Sequence, residues 1–158
     1  TAILYGLSCR LGATLSGASD EQADALERFG ILLGTAFQIA DDALDLVGDQ
    51  ETVGKSLGTD LVNGKMTLPL ILLRDQLDDE GRESLMQLLE AAAAGQSDDA
   101  AHAKLLKWFE QEGILERVQQ RASDSIDGAL DALRDASGPG PARERLEELA
   151  RFVVRREL

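Results

Sequence analysis

Apolar residues return every three to four positions along most of the chain, and that period predicts helices. Ala2, Ile3, Leu7 and Leu11 open the pattern, with Gly12 as its expected stop. Ser19 or Asp20 then caps a long segment reaching about Leu46, with Glu21 and Asp24 near its positive N-terminal end. From Gly48 to Gly64 the texture changes. Gly48, Gly54, Gly58 and Gly64 punctuate a polar stretch that predicts a long loop holding at most a short helical piece. A loop of this length is uncommon unless it is functional. Thr67 and Pro69 open the next helix, through Leu77, with proline well placed in a first turn. Asp78 or Asp79 caps a helix to about Ala94, ended by Gly95. Ser97 starts another that reaches Glu112, with Gly113 as its C-cap. Ile114 to Ala136 forms a further helix. Gly138-Pro139-Gly140-Pro141 breaks the chain before the last one, Ala142 to Arg156. No segment alternates at the strand period and no internal repeat is visible. The expected fold class is all-α, a single helical domain over residues 1–158.

A chain of 158 residues can bury a real core. Its net charge of −13 argues against nucleic acid, whose phosphates it would repel. Small anionic substrates stay open, because a bound cation inverts the local sign. Cys9 is the only cysteine, so no disulfide framework exists and a reducing, cytoplasmic setting is expected. No stretch reaches the roughly 18–20 apolar residues of a membrane span. The longest apolar run, Ile31 to Ala40, is broken by Asp41 and Asp42, and there is no signal-peptide pattern. The chain opens at Thr1 inside an apolar helical pattern, which predicts a cut or truncated product.

The segment Gly30 to Asp49 concentrates the candidate chemistry. It is apolar on nearly every side, through Ile31, Leu32, Leu33, Ala36, Phe37, Ile39, Ala40, Ala43, Leu44, Leu46 and Val47, and such a helix is normally buried. Yet it carries Gln38, Asp41, Asp42 and Asp45. Spacings of three and four place Gln38, Asp41 and Asp45 on one face, with Asp42 about 100° round from Asp41. Buried carboxylates require compensation, and two at i and i+4 repel each other. A divalent cation resolves both problems. Oxygen donors with no nearby His or Cys favour Mg²⁺ over Zn²⁺. The alternative is an acidic helix face in plain solvent, which the apolar flanks disfavour. The following loop supplies Lys55 after Gly54 and Lys65 after Gly64, two movable point charges suited to phosphate.

Other motifs fall short. Gly48 to Ser56 resembles a P-loop but has five residues between its glycines where that motif has four, and it follows a helix. Asp41 to Gly48 lacks EF-hand spacing. His102, the sole histidine, reads as a bystander, Cys9 as packing, and Trp108 and Phe109 as core residues of their helix.

Phe37-Gln38-Ile39-Ala40-Asp41-Asp42-Ala43-Leu44-Asp45 resembles the second aspartate-rich motif, FQ-x-x-DD-x-x-D, of trans-type polyprenyl diphosphate synthases. Gly54 to Pro69 resembles the stretch just C-terminal to that motif in the family: GK, then G-x-DL, then GK-x-TLP. The combination is far more specific than a lone DDxxD. The likeness extends loosely over the whole chain to Phe152-Val153-Val154-Arg155-Arg156, and the TLP and VVRR endings look most like long-chain, octaprenyl-type members.

The resemblance implies an antiparallel helical bundle of the isoprenoid synthase type, truncated at its N-terminus and homodimeric in the intact enzyme. It implies head-to-tail condensation of isopentenyl diphosphate with an allylic diphosphate, assisted by Mg²⁺. By motif position Asp41 would ligate Mg²⁺, and Asp42 and Asp45 would hold metal-bound water or the lysines. Gln38 would contact the allylic diphosphate or its metal shell, and Lys55 and Lys65 would bind and steer that diphosphate. Thr1 matches the threonine of a Lys-Thr pair near the reacting carbons, whose lysine would precede Thr1. The first aspartate-rich motif, the arginines for isopentenyl diphosphate and the residues setting product length lie upstream in the family. This piece alone is therefore expected to be inactive. Peripheral contact with a membrane is consistent with greasy products. Competing readings are a class I terpene cyclase or head-to-head synthase, against which the GK-x-TLP context argues, and a non-catalytic subunit or helical interaction module of a heteromeric synthase.

Overall fold

The structure is a computed structural model that describes residues 1–47, 65–96 and 99–154. Over these residues the chain is all-helical: α1 (Ala2–Leu15), α2 (Asp20–Val47), α3 (Leu68–Gln76), α4 (Asp79–Ala93), α5 (Asp99–Gln111), α6 (Ile114–Ala136) and α7 (Pro141–Val154). The expected loop at residues 48–64, the expected start at Ser97 and the closing Arg155 and Arg156 lie outside the described residues.

The helix ends show which signals are decisive. Gly12 does not stop α1, because a glycine inside a helix costs about 1 kcal/mol and no more. The helix runs on to Leu15, where Gly17 takes φ 77° and ends it. The Ala18 amide donates to the Ala13 carbonyl at 3.1 Å and the Gly17 amide to Thr14 at 3.1 Å, the paired bonds of a left-handed C-terminal cap. Gly95, at φ 71°, closes α4 in the same way. Ser19, rather than Asp20, caps α2. Its hydroxyl accepts from the Gln22 amide at 3.3 Å, and the Gln22 side chain accepts from the Ser19 amide at 3.1 Å. Asp78 caps α4 by accepting from the Gly81 amide at 2.8 Å.

The chain divides into two compact units, Thr1–Ala40 with Gln119–Glu157, and Asp41–Val118 with Leu158. In the first, Phe29, Leu33 and Ala36 of α2 pack with Ile126, Ala129, Leu130 and Leu133 of α6 and with Ala150 and Val153 of α7. Tyr5 and Cys9 of α1 pack against this cluster. Burial pushes the Cys9 thiol upward, away from the reactive thiolate, in line with a packing role. The Gln22 side chain donates to the Ala136 carbonyl at 3.1 Å, tying the start of α2 to the end of α6. Arg10 of α1 reaches both Asp24 and Glu27 of α2. On α7, Arg143 lies 2.9 Å from Glu147 and holds that carboxyl below its ordinary value. The outer side of α1 is apolar: Ile3 and Leu15 are 81% and 87% exposed, with Leu4, Leu7 and Leu11 between them.

In the second unit α3 packs against both α4 and α5. Leu70, Leu73, Leu85, Ala92, Leu105, Phe109, Ile114 and Val118 are buried. Phe109 is the core residue its helix position predicts. Trp108 is not: it is half-buried, with the Lys104 ammonium 4.6 Å from its ring centroid, a cation–π contact at the surface. No helix among the described residues is long and apolar enough to cross a membrane.

Candidate functional site

Helix α2 is continuous through Gln38, Asp41, Asp42 and Asp45, so the spacing argument for a shared face applies. Its burial corrects one expectation. The fully buried positions Phe29, Leu33, Ala36, Ala40 and Ala43 step by four and three along a single stripe. Asp41 is exposed, and Asp42 and Asp45 are half-buried. The carboxylates therefore stand on an open side, and the desolvation penalty of a buried acid does not arise at Asp41. The sequence misleads because small and aliphatic residues occupy the open side too, Ile31 among them at 38% exposure.

Thr1 lies at the N-cap of α1, its carbonyl accepting from the Leu4 and Tyr5 amides at 3.0 and 3.2 Å. Its hydroxyl donates to Gln38 Oε1 at 3.0 Å. Two residues singled out separately in the sequence, 37 positions apart, thus meet. Lys65 is exposed, just before α3. Lys55 lies outside the described residues.

Among the described residues no three His, Cys, Asp or Glu side chains gather into a group that could hold a metal ion by themselves. Asp41, Asp42 and Asp45 offer oxygen donors from one helix only. That set fits a divalent cation that takes one or two carboxylates and completes its shell with water and substrate oxygens.

Thr67 carries a signal that the sequence does not show. It is 5% exposed, and its hydroxyl has no hydrogen-bond partner among the described residues. Although it occupies the N-cap of α3, it makes no side-chain cap bond. Replacing one buried, unpaired hydroxyl by a methyl removes a penalty of about 1–3 kcal/mol. Thr67→Val is therefore expected to raise stability by about 1 kcal/mol, read as a higher denaturant midpoint at unchanged slope. A loss of stability would show that the hydroxyl is satisfied in solution.

A family model described as Polyprenyl synthetase matches residues 1–106. A short chain isoprenyl diphosphate synthase of Methanothermobacter thermautotrophicus is 36% identical over 157 residues, 99% of this chain and 46% of that protein. Among solved structures, a geranylgeranyl pyrophosphate synthetase from Pyrococcus horikoshii superposes with a TM-score of 0.85 at 30% identity, over 99% of this chain and 46% of that one. A polyprenyl synthase from Caulobacter crescentus, complexed with calcium and isoprenyl diphosphate, superposes with a TM-score of 0.82 at 35% identity, over 97% and 45%. The chain thus spans less than half the length of the relatives it matches. With a matching family model over most of its length, an all-helical fold shared with these synthases and the FQ-x-x-DD-x-x-D face on α2, the chain belongs to the polyprenyl synthetase family.

Proposed function

We propose that this chain is the C-terminal part of a polyprenyl diphosphate synthase, joining isopentenyl diphosphate head-to-tail to an allylic diphosphate with Mg²⁺ as cofactor. The observation that carries this reading is the polar side of α2, where Thr1 fixes Gln38 one turn from the exposed Asp41. Bound Mg²⁺ would neutralise the diphosphate and make it a better leaving group. Asp41 would hold the ion directly, with Asp42 and Asp45 orienting its water. Gln38 and Lys65, together with Lys55, would hold diphosphate oxygens. The allylic C–O bond breaks and its electron pair leaves with the diphosphate. The alkene of isopentenyl diphosphate attacks the allylic carbon, and a proton passes from the new chain to the departing pyrophosphate. None of these steps requires a nucleophilic Ser or Cys.

The residues that set product length would belong to the other half of the fold. The active assembly therefore includes that half, and a homodimer of the completed enzyme is the expected state. The apolar outer side of α1 supports this, since a run of exposed Ile and Leu along a whole helix is unusual for a surface left in water. The same observation favours a second reading, a subunit of a heteromeric synthase whose partner brings the other half. A cytoplasmic setting suits both.

Lys65 provides the test of the binding role. A hydrogen bond to a charged group contributes about 1.5–3 kcal/mol, so Lys65→Ala is expected to raise KM for the allylic diphosphate about 10- to 100-fold. KM for isopentenyl diphosphate should change little. Steady-state kinetics on the completed enzyme reads both, and an unchanged allylic KM would remove Lys65 from the site.

A further inference from the structure

We infer that Gly34 is a positioning residue, whose missing side chain lets α1 approach α2 closely enough for the Thr1 hydroxyl to reach the Gln38 amide. The inference rests on reading Gln38 as a diphosphate ligand, and it names what holds that ligand in its working orientation.

The α1–α2 seam is closed by three glycines. A Cβ at Gly34 would lie 2.8 Å from the Ala2 Cα and 3.1 Å from Tyr5 Cγ. At Gly30 it would lie 2.5 Å from the Tyr5 carbonyl oxygen and 2.8 Å from the Gly6 Cα. At Gly6 it would meet Ile31 Cγ1 at 2.6 Å. Gly34 is the glycine nearest the site: it sits one helical turn before Gln38, and its neighbour across the seam, Ala2, adjoins Thr1.

Carbon atoms in ordinary contact are about 3.5–4.0 Å apart. Relieving a 2.8 Å contact with backbone therefore demands a shift of about 0.7–1.2 Å. The Thr1–Gln38 bond is 3.0 Å long and is lost beyond about 3.5 Å, leaving about 0.5 Å of slack. A methyl at Gly34 is thus more than enough to break it. The bond matters because a glutamine amide has one acceptor end and one donor end. With Oε1 accepting from the Thr1 hydroxyl, the rotation of the amide is set and its donor end lies on the other side. Losing that bond removes the contact that holds Oε1 toward Thr1 and shifts the orientation of the amide. The displacement should stay in the first turn of α1, where Thr1, Ile3 and Leu4 are exposed.

Gly12 is the internal control, since a Cβ there meets nothing within 4 Å. The test compares Gly34→Ala, Gly12→Ala, Thr1→Val and the double variant Gly34→Ala with Thr1→Val, all in the completed enzyme. Gly34→Ala and Thr1→Val should each lower kcat/KM about 10-fold, the scale of one hydrogen bond to a charged group. The double variant should be no worse than either single one. In enzyme labelled with ¹⁵N-glutamine, the Gln38 side-chain amide signal should move alike in Gly34→Ala and Thr1→Val and stay in place in Gly12→Ala. Multiplying losses in the double variant, or an unmoved amide signal in Gly34→Ala, would overturn the inference. A collapsed melting midpoint for Gly34→Ala would overturn it too, by making Gly34 a packing residue of the whole unit. If the wild-type enzyme elongates no diphosphate, the functional reading fails, and the amide signal still decides the positioning role.

Discussion

Asp41→Ala is expected to lower turnover of the completed enzyme by at least about 100-fold, the scale of losing one preorganised electrostatic element. The size of the effect comes from its position. Asp41 is exposed on a helix whose opposite stripe, Ala36, Ala40 and Ala43, is buried, so the backbone that carries the carboxylate is anchored on its other side. Asp42 lies about 100° round the helix and cannot replace it without turning α2. Because Asp41 is outside the core, the substitution should leave the melting midpoint within a few degrees of wild type, separating a chemical loss from unfolding. Activity within threefold of wild type would remove Asp41 from the metal shell.

The second large effect is on stability. Phe29 is 1% exposed in the cluster formed with Leu33, Ile126, Leu130, Leu133 and Val153. Truncating a phenylalanine in such a place costs about 3–5 kcal/mol. A domain of this size is stable by only about 5–15 kcal/mol, so Phe29→Ala should place the chain near its threshold. Denaturant titration would show a much lower midpoint, and a loss under about 1 kcal/mol would mean that the cluster is not packed as described. Phe29 also sits one residue before Gly30 in the α1–α2 seam, so activity should fall together with stability. That pattern contrasts with Asp41→Ala, where only activity falls.

Much of this architecture is legible in the sequence, for identifiable reasons. Helix positions come from apolar spacing, the start after Thr67 from the proline in the first turn of α3, and the ends at Gly95 and Gly113 from glycines that take positive φ. Gly12 misleads because a glycine inside a helix and a glycine that ends one look the same until φ is known; of Gly12 and Gly17, it is Gly17 that takes the left-handed value. The aspartate-rich helix is legible and its environment is not. Alternating alanines and aliphatics around all sides of α2 hide which stripe faces the core, and that choice is made by α6 and α7, which are distant in sequence. The meeting of Thr1 with Gln38 cannot be read from either residue. It depends on the close approach of α1 and α2, for which the available signal is Gly30 and Gly34, four residues apart on the helix that carries Gln38. The Thr67 hydroxyl, without a partner among the described residues, leaves no mark in the sequence beyond its place in the TLP motif.

The most direct measurement is a product assay on this chain assembled with the polypeptide that completes its fold, supplied with isopentenyl diphosphate and an allylic diphosphate, with and without Mg²⁺. The expected result is head-to-tail prenyl diphosphates longer than the allylic substrate, formed only with Mg²⁺ and absent when either half is assayed alone. A correctly assembled complex that binds both diphosphates yet yields no elongated product, while Asp41→Ala changes nothing, would contradict it.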